Sequence, residues 1–184
     1  EPFLTTALGK GVVRAKDTPN FVANRVGIAG MLATMIEAGK HGLTIDVVDD
    51  LTGKKMGRAS SGTFRTADVV GLDTMAHVIK TMQDNLKDDP FFETYATPKV
   101  LAGLLDKGAL GQKAGAGFYK KEGKAILRLD FDKGEYVPSG AKAEAIVERM
   151  LKKPPAERLK LLRESSHPQA QFVWAILRDA FHYA

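Results

Sequence analysis

Lys16-Asp17-Thr18-Pro19-Asn20-Phe21-Val22-Ala23-Asn24-Arg25 is the stretch on which the fold turns, because it opens a long apolar helix that continues to Ala38. Thr18 is the expected cap and Pro19 has the fixed φ suited to a first helical position. At helical spacing Asn24 shares a face with Ile28, Met31 and Met35, which puts a neutral amide on the side expected to be buried. Left without a hydrogen-bond partner there, it would cost about 1–3 kcal/mol. A neighbouring helix or loop satisfies it on one reading, and a ligand does so on another. Ala23, Gly27, Gly30, Thr34 and Ala38 form a second stripe, all small. Each glycine costs roughly 1 kcal/mol against alanine inside a helix, so the stripe is expected to receive a close neighbour. A helix apolar nearly all round belongs at the centre of a domain.

Working outward, Gly9 to Ala15 reads as a turn and a short strand with no partner in the helical stretch that follows. The first helix is expected over Thr18–Ala38, with Gly39 and Gly42 ending it. Thr44-Ile45-Asp46-Val47 carries a capping-box-like signal for a second helix reaching about Lys54. After a loop at residues 55–62, Thr63 is the expected cap of a short third helix and Asp73 of a fourth, whose inner face holds Met75, Val78, Ile79 and Met82. Pro98 starts a fifth. Gly108 to Gly117 is a turn region, and Phe118–Lys120 with Ala125–Leu127 flank Glu122-Gly123-Lys124 as a hairpin. Asp130 to Pro138 adds an extended piece, and helices return over 145–151, 159–162 and 169–183. Residues 18–120 read as the compact part, and the portion after about 139 as a connector. Glu1 in place of methionine and an uncapped last helix suggest a segment of a longer protein.

The chain has 184 residues, 44% of them hydrophobic, and no cysteine, which excludes disulfides, thiolate metal sites and a cysteine nucleophile. A reducing, cytoplasmic setting is compatible. No signal peptide is legible, and no uninterrupted apolar run has the length of a membrane span. The net charge of +5 is spread among interleaved acids, so nucleic-acid binding is not expected, whereas a phosphorylated small molecule suits local lysines. His41, His77, His167 and His182 stand alone and are assigned surface roles. Gly115-Ala116-Gly117 looks like half of a dinucleotide fingerprint but leads into a hairpin, not a helix, and reads as a tight turn. Glu37, Asp68 and Asp73 read as caps or solvated charges.

Four blocks in order resemble the C-terminal domain of 3-hydroxyacyl-CoA dehydrogenases: Lys16–Arg25, Met56-Gly57, Asp68-Val69-Val70-Gly71-Leu72-Asp73, and Gly111-Gln112-Lys113-Ala114-Gly115-Ala116-Gly117-Phe118-Tyr119. The resemblance implies a mainly helical, all-α domain of the 6-phosphogluconate-dehydrogenase C-terminal-like type, with a short hairpin and a helical extension. It implies that residues 1–17 end an upstream Rossmann domain, 18–120 form the helical domain, and 121–184 lead to a second, truncated helical copy that Phe172–Ala184 begins. It further implies an acyl-CoA substrate oxidised at its 3-hydroxyl, NAD bound by the upstream domain, and a homodimer through the helical domain. Of the family's catalytic histidine, glutamate, serine and asparagine, only the asparagine has a counterpart, Asn24. The segment alone is therefore expected to be inactive. Asn20 stands where glycine is frequent, and Arg58–Arg65 lacks the proline and acid common after Met-Gly. With the long extension, these departures resemble the large fused bacterial β-oxidation proteins, some carrying an enoyl-CoA hydratase module. Two other readings are a non-catalytic helical association module and a related oxidoreductase acting on another 3-hydroxy acid.

Overall fold

The computed structural model describes residues 1–184. Eight helices run in chain order: α1 (Phe21–Lys40), α2 (Ile45–Thr52), α3 (Phe64–Val70), α4 (Leu72–Asn85), α5 (Lys99–Asp106), α6 (Ala145–Leu151), α7 (Pro155–Glu164) and α8 (Pro168–Tyr183). Between α5 and α6 lies an antiparallel sheet of three strands in sequential order, β1 (Tyr119–Glu122), β2 (Ala125–Leu129) and β3 (Tyr136–Pro138). Its register pairs Glu122 with Ala125 and Leu129 with Tyr136. The expected hairpin is present, with Gly123 at φ +60 in its turn. The all-α assignment with a small hairpin holds.

Helix α1 is the spine. Ile28, Leu32, Met35 and Ala38 enter one hydrophobic core that also takes Met75, Ile79 and Met82 from α4 and Leu101 and Leu104 from α5. It ends as expected: Gly42 adopts φ +62 and the Leu43 amide returns to the Ala38 carbonyl at 2.9 Å. By length and apolar composition α1 would suffice to cross a bilayer, contrary to the expectation from unbroken runs. The core helix of a folded domain meets the same criteria.

Three expectations fail. Residues 9–18 form no strand, and a single exposed π-helical turn, Phe3–Ala7, precedes them. A lone extended segment without a pairing edge has nowhere to place its backbone hydrogen bonds except water. The segment after residue 139 is no connector. Val147, Leu151, Leu162, Phe172, Val173 and Ile176 are all buried in the same core, and α8 packs along α1. Finally, Thr18 does not cap α1, which starts three residues later behind Asn20.

Candidate functional site

The start of α1 is unusual. Asn20 and Phe21 both have positive φ, at 68 and 56. Asparagine is among the few non-glycine residues that accept this region, which explains physically how it stands in a position where glycine is frequent in the resembling family. The Thr18 hydroxyl accepts from Arg25 Nη1 at 3.3 Å, and Asn20 Nδ2 donates to the Val78 carbonyl at 3.2 Å. Pro19 sits in the preceding turn, so the long helix begins without a side-chain cap.

Asn24 lies one turn in. It is exposed, as are Phe21, Val22 and Ala23. The stripe it shares with Ile28, Met31 and Met35 is covered only from Ile28 onward, so the expectation of a buried amide is corrected. The rest of the chain leaves the first turn of α1 standing out of the core. The side-chain hydrogen bonds of this turn belong to Asn20 and Arg25, and the Asn24 carboxamide projects from a rim that is apolar on one side. The small-residue stripe is open too: a Cβ built on Gly27 or Gly30 would meet nothing within 4 Å. Thr34 and Ala38, at the other end of the stripe, are buried by the rest of the chain, so only its Gly27–Gly30 part is left without a close neighbour.

The other blocks are structural. Asp68 of α3, expected to be a cap or a solvated charge, is buried, and its carboxylate accepts the Phe118 and Tyr119 amides at 2.8 Å each. Gly111 and Gly117 are small because a Cβ would fall 2.4 Å from the Asp68 carbonyl and 2.1 Å from its Oδ1, respectively. Leu72 N donates to the Leu110 carbonyl at 3.1 Å. Asp73 is not the cap of α4 either: Gly71 holds that position with φ +103, and Asp73 pairs with Lys113 Nζ at 2.7 Å. The third and fourth blocks are thus one knot tying α3 and α4 to the sheet, and the Phe64–Phe118 edge contact at 4.8 Å packs it. Glu37 is buried beside Lys40, with its carboxylate 2.6 Å away.

One acid escaped the sequence reading and another was given the wrong role. Asp49 of α2 caps α3 from outside, accepting from the Thr63, Phe64 and Arg65 amides at 2.8, 2.6 and 3.0 Å, and the Tyr119 hydroxyl donates to it at 2.9 Å. Asp46, expected to act in a capping box, instead accepts the Gly140 and Ala141 amides at 2.8 Å and lies 3.2 Å from Arg128 Nε. Burial pushes the Asp46 carboxyl up, but the Thr44 hydroxyl, these amides and Arg128 outweigh it and hold the group below the usual range. Burial wins for Asp49, whose carboxyl is raised despite its donors. The signal available in sequence was an acid set between core positions, as in Val47-Val48-Asp49-Asp50-Leu51.

These acids line a cleft of about 400 Å³ together with Lys55, Arg65, Tyr119 and Lys142, where they are occupied with holding backbone. The turn at Gly115–Gly117 does not fit a dinucleotide. The amides that follow it already bind the Asp68 carboxylate, an anion where a phosphate would sit, and a strand follows in place of a helix. Of the histidines, His167 sits at the start of α8 and accepts the Gln169 amide at Nδ1 (3.2 Å), while His77 is exposed on α4.

The structure is that of a mainly helical domain whose longest helix, α1, leaves its first turn and the Asn24 side chain exposed. A family model described as "3-hydroxyacyl-CoA dehydrogenase, C-terminal domain" matches residues 21–121, and the chain belongs to that family. A Bacillus subtilis protein named "Probable 3-hydroxyacyl-CoA dehydrogenase" is 52% identical over 70% of this chain and 16% of its own length. A Rickettsia prowazekii protein, whose name describes a trifunctional enzyme of a fatty acid oxidation complex, is 30% identical over 69% of this chain and 18% of its own. The crystal structure of M. tuberculosis FadB2 superposes with a TM-score of 0.54 at 30% identity, covering 66% of this chain and 41% of that one. The chain therefore spans less than half the length of each of these relatives.

Proposed function

We propose that this chain supplies the substrate-facing helical domain of an NAD-dependent dehydrogenase that oxidises (3S)-3-hydroxyacyl-CoA to 3-oxoacyl-CoA in fatty-acid β-oxidation. The observation that carries this is the unpartnered Asn24 carboxamide on the uncovered first turn of α1, inside the segment that matches the family. An upstream Rossmann domain holds NAD and brings the histidine base, its glutamate and the serine. Asn24 Nδ2–H then donates to the substrate's C3 oxygen. NAD, held by the upstream domain, would accept the hydride from C3 while the base takes the hydroxyl proton, and the fixed Asn24 donor would stabilise the negative charge that develops on the oxygen.

The open face at Gly27 and Gly30 suits close approach of a second copy, which supports a homodimer. The likeness to a protein named as a trifunctional enzyme of fatty acid oxidation supports fusion to further β-oxidation modules; an enoyl-CoA hydratase among them and a cytoplasmic setting complete the proposal. Residues 1–17 stand in this reading as the end of the upstream domain, and α8, packed along α1, as the first helix of a second helical copy.

The test is Asn24→Ala in the full-length protein, with NADH formation followed by absorbance. Loss of one such donor is expected to lower kcat about 10²–10³-fold. Because Asn24 is exposed on a helix, stability is expected to change by no more than about 0.5 kcal/mol. An unchanged kcat would overturn the assignment.

A further inference from the structure

We propose that Arg25, clamped by Asp89 and reached by Tyr183 from the far end of the chain, is the positioning residue for Asn24. The inference rests on the reading of Asn24 given above. It starts from what fails to hold the first turn of α1. Packing does not, since Phe21 to Asn24 are all exposed, Phe21 by 74%. Capping does not, since the Asn20 side chain is spent on Val78. Two consecutive residues in the left-handed region make this turn a strained one, which persists only where its surroundings fix it.

What fixes it is polar. Arg25 Nη2 donates to Asp89 Oδ2 at 2.8 Å while Nη1 reaches Thr18 Oγ1 at 3.3 Å, so one guanidinium fork spans the chain on both sides of the turn. The Asp89 side chain is 6% exposed and its other oxygen accepts the Phe91 amide at 2.8 Å. The anchor continues inward: the Tyr183 hydroxyl lies 3.5 Å from Asp89 Oδ2 and accepts from the fully buried Tyr95. The Phe91 ring packs roughly perpendicular to those of His182 and Tyr183, with centroids 5.0 and 5.2 Å away, which seats the last turn of α8 against this anchor. Asn24 precedes Arg25 directly in the chain, so the direction of its carboxamide is set by whatever holds that arginine. Tyr183 lies outside residues 21–121, so the clamp joins the family segment to the extension.

The experiment uses the full-length dehydrogenase with Arg25→Lys, Asp89→Asn and Tyr183→Phe, each alone and with Asn24→Ala. Lysine keeps the charge but cannot span Thr18 and Asp89 at once. Arg25→Lys and Asp89→Asn are each expected to lower kcat about 10-fold with KM changed less than about 2-fold, because a donor misplaced by a fraction of an ångström loses transition-state binding. Tyr183→Phe, which removes only a hydroxyl, is expected to lose about 3-fold on the same grounds. Combined with Asn24→Ala, none of them should lower kcat further by more than about 2-fold, the non-additivity of residues acting through one group. Exchange of the first amides bonded within α1, those of Arg25 to Gly27, should quicken in Asp89→Asn while that of Leu32 to Ala38 stays constant.

Full additivity with Asn24→Ala would overturn the proposal, as would single variants that melt earlier but keep wild-type kcat at temperatures where they are folded. If Asn24→Ala itself retains full kcat, the Asn24 reading falls and the clamp's catalytic role falls with it. If Asn24→Ala collapses turnover but the clamp variants do not, only the positioning role is lost.

Discussion

Asp68 is a buried anion held by two backbone amides and no ion pair. Burial pushes its carboxyl up to about 6 in spite of those donors, and the nearby Asp49 charge adds to the rise. The sign of the consequence follows from linkage. Between the ordinary value of 3.8 and about 6, the folded chain keeps a proton that the unfolded chain has released. Stability from this group is therefore greatest below about pH 4 and falls as pH rises through 6, by about 3 kcal/mol in all. Asn is a neutral stand-in for the protonated acid. In urea titrations the stability difference, wild type minus Asp68→Asn, is expected to shrink by about that amount between pH 4 and 7, and a difference flat with pH would refute the account. Sequence reading could not reach this. The partners of Asp68 are 50 and 51 positions away, and nothing local distinguishes an acid that receives distant amides from one that faces water. Asn24 was the opposite case. Its position on the helix was legible from spacing alone, but its exposure was not, because the periodicity of a helix does not say where its cover ends.

Elements whose ends are set by local chemistry were the legible ones. Gly42 closes α1 and Gly123 turns the hairpin because each supplies a positive φ that its neighbours cannot. Starts were less legible, since α3 is capped by Asp49 from another helix and α4 by Gly71 in place of Asp73. The middle of α1 gives a direct test of its open face. Gly27 and Gly30 sit inside the helix with ordinary φ, and an added Cβ meets nothing. Gly27→Ala in this chain should therefore gain about 1 kcal/mol of helix propensity and raise Tm by about 2–4 °C, read by circular dichroism. In the full-length protein, where a second copy is proposed to cover the same face, the substitution should weaken association in sedimentation experiments. A lower Tm in the isolated chain would mean that some part of this chain does lie against Gly27.

At the scale of the molecule, the boundary between domain and extension disappears. Composition suggested a connector after residue 139, because Pro154-Pro155 and dense charge over residues 142–164 dilute the apolar signal. Yet α8 carries Phe172, Val173 and Ile176 onto α1, and α6 and α7 add Val147, Leu151 and Leu162. One wide apolar surface on α1 needed a partner, and the extension is what covers it. Two phenylalanines on α8 separate the readings. Phe172 is fully buried, whereas Phe181 is 74% exposed. If residues 139–184 were a tether, both substitutions to alanine would be nearly silent in equilibrium unfolding. As a wall of the core, Phe172→Ala should cost about 3–5 kcal/mol, while Phe181→Ala should stay within about 0.5 kcal/mol. Against a total stability of about 5–15 kcal/mol for a chain of this kind, the first loss is a large fraction of the whole. It should appear as a lower urea midpoint in a single cooperative transition. Two separated transitions would mean that α8 comes away from α1 as an independent unit.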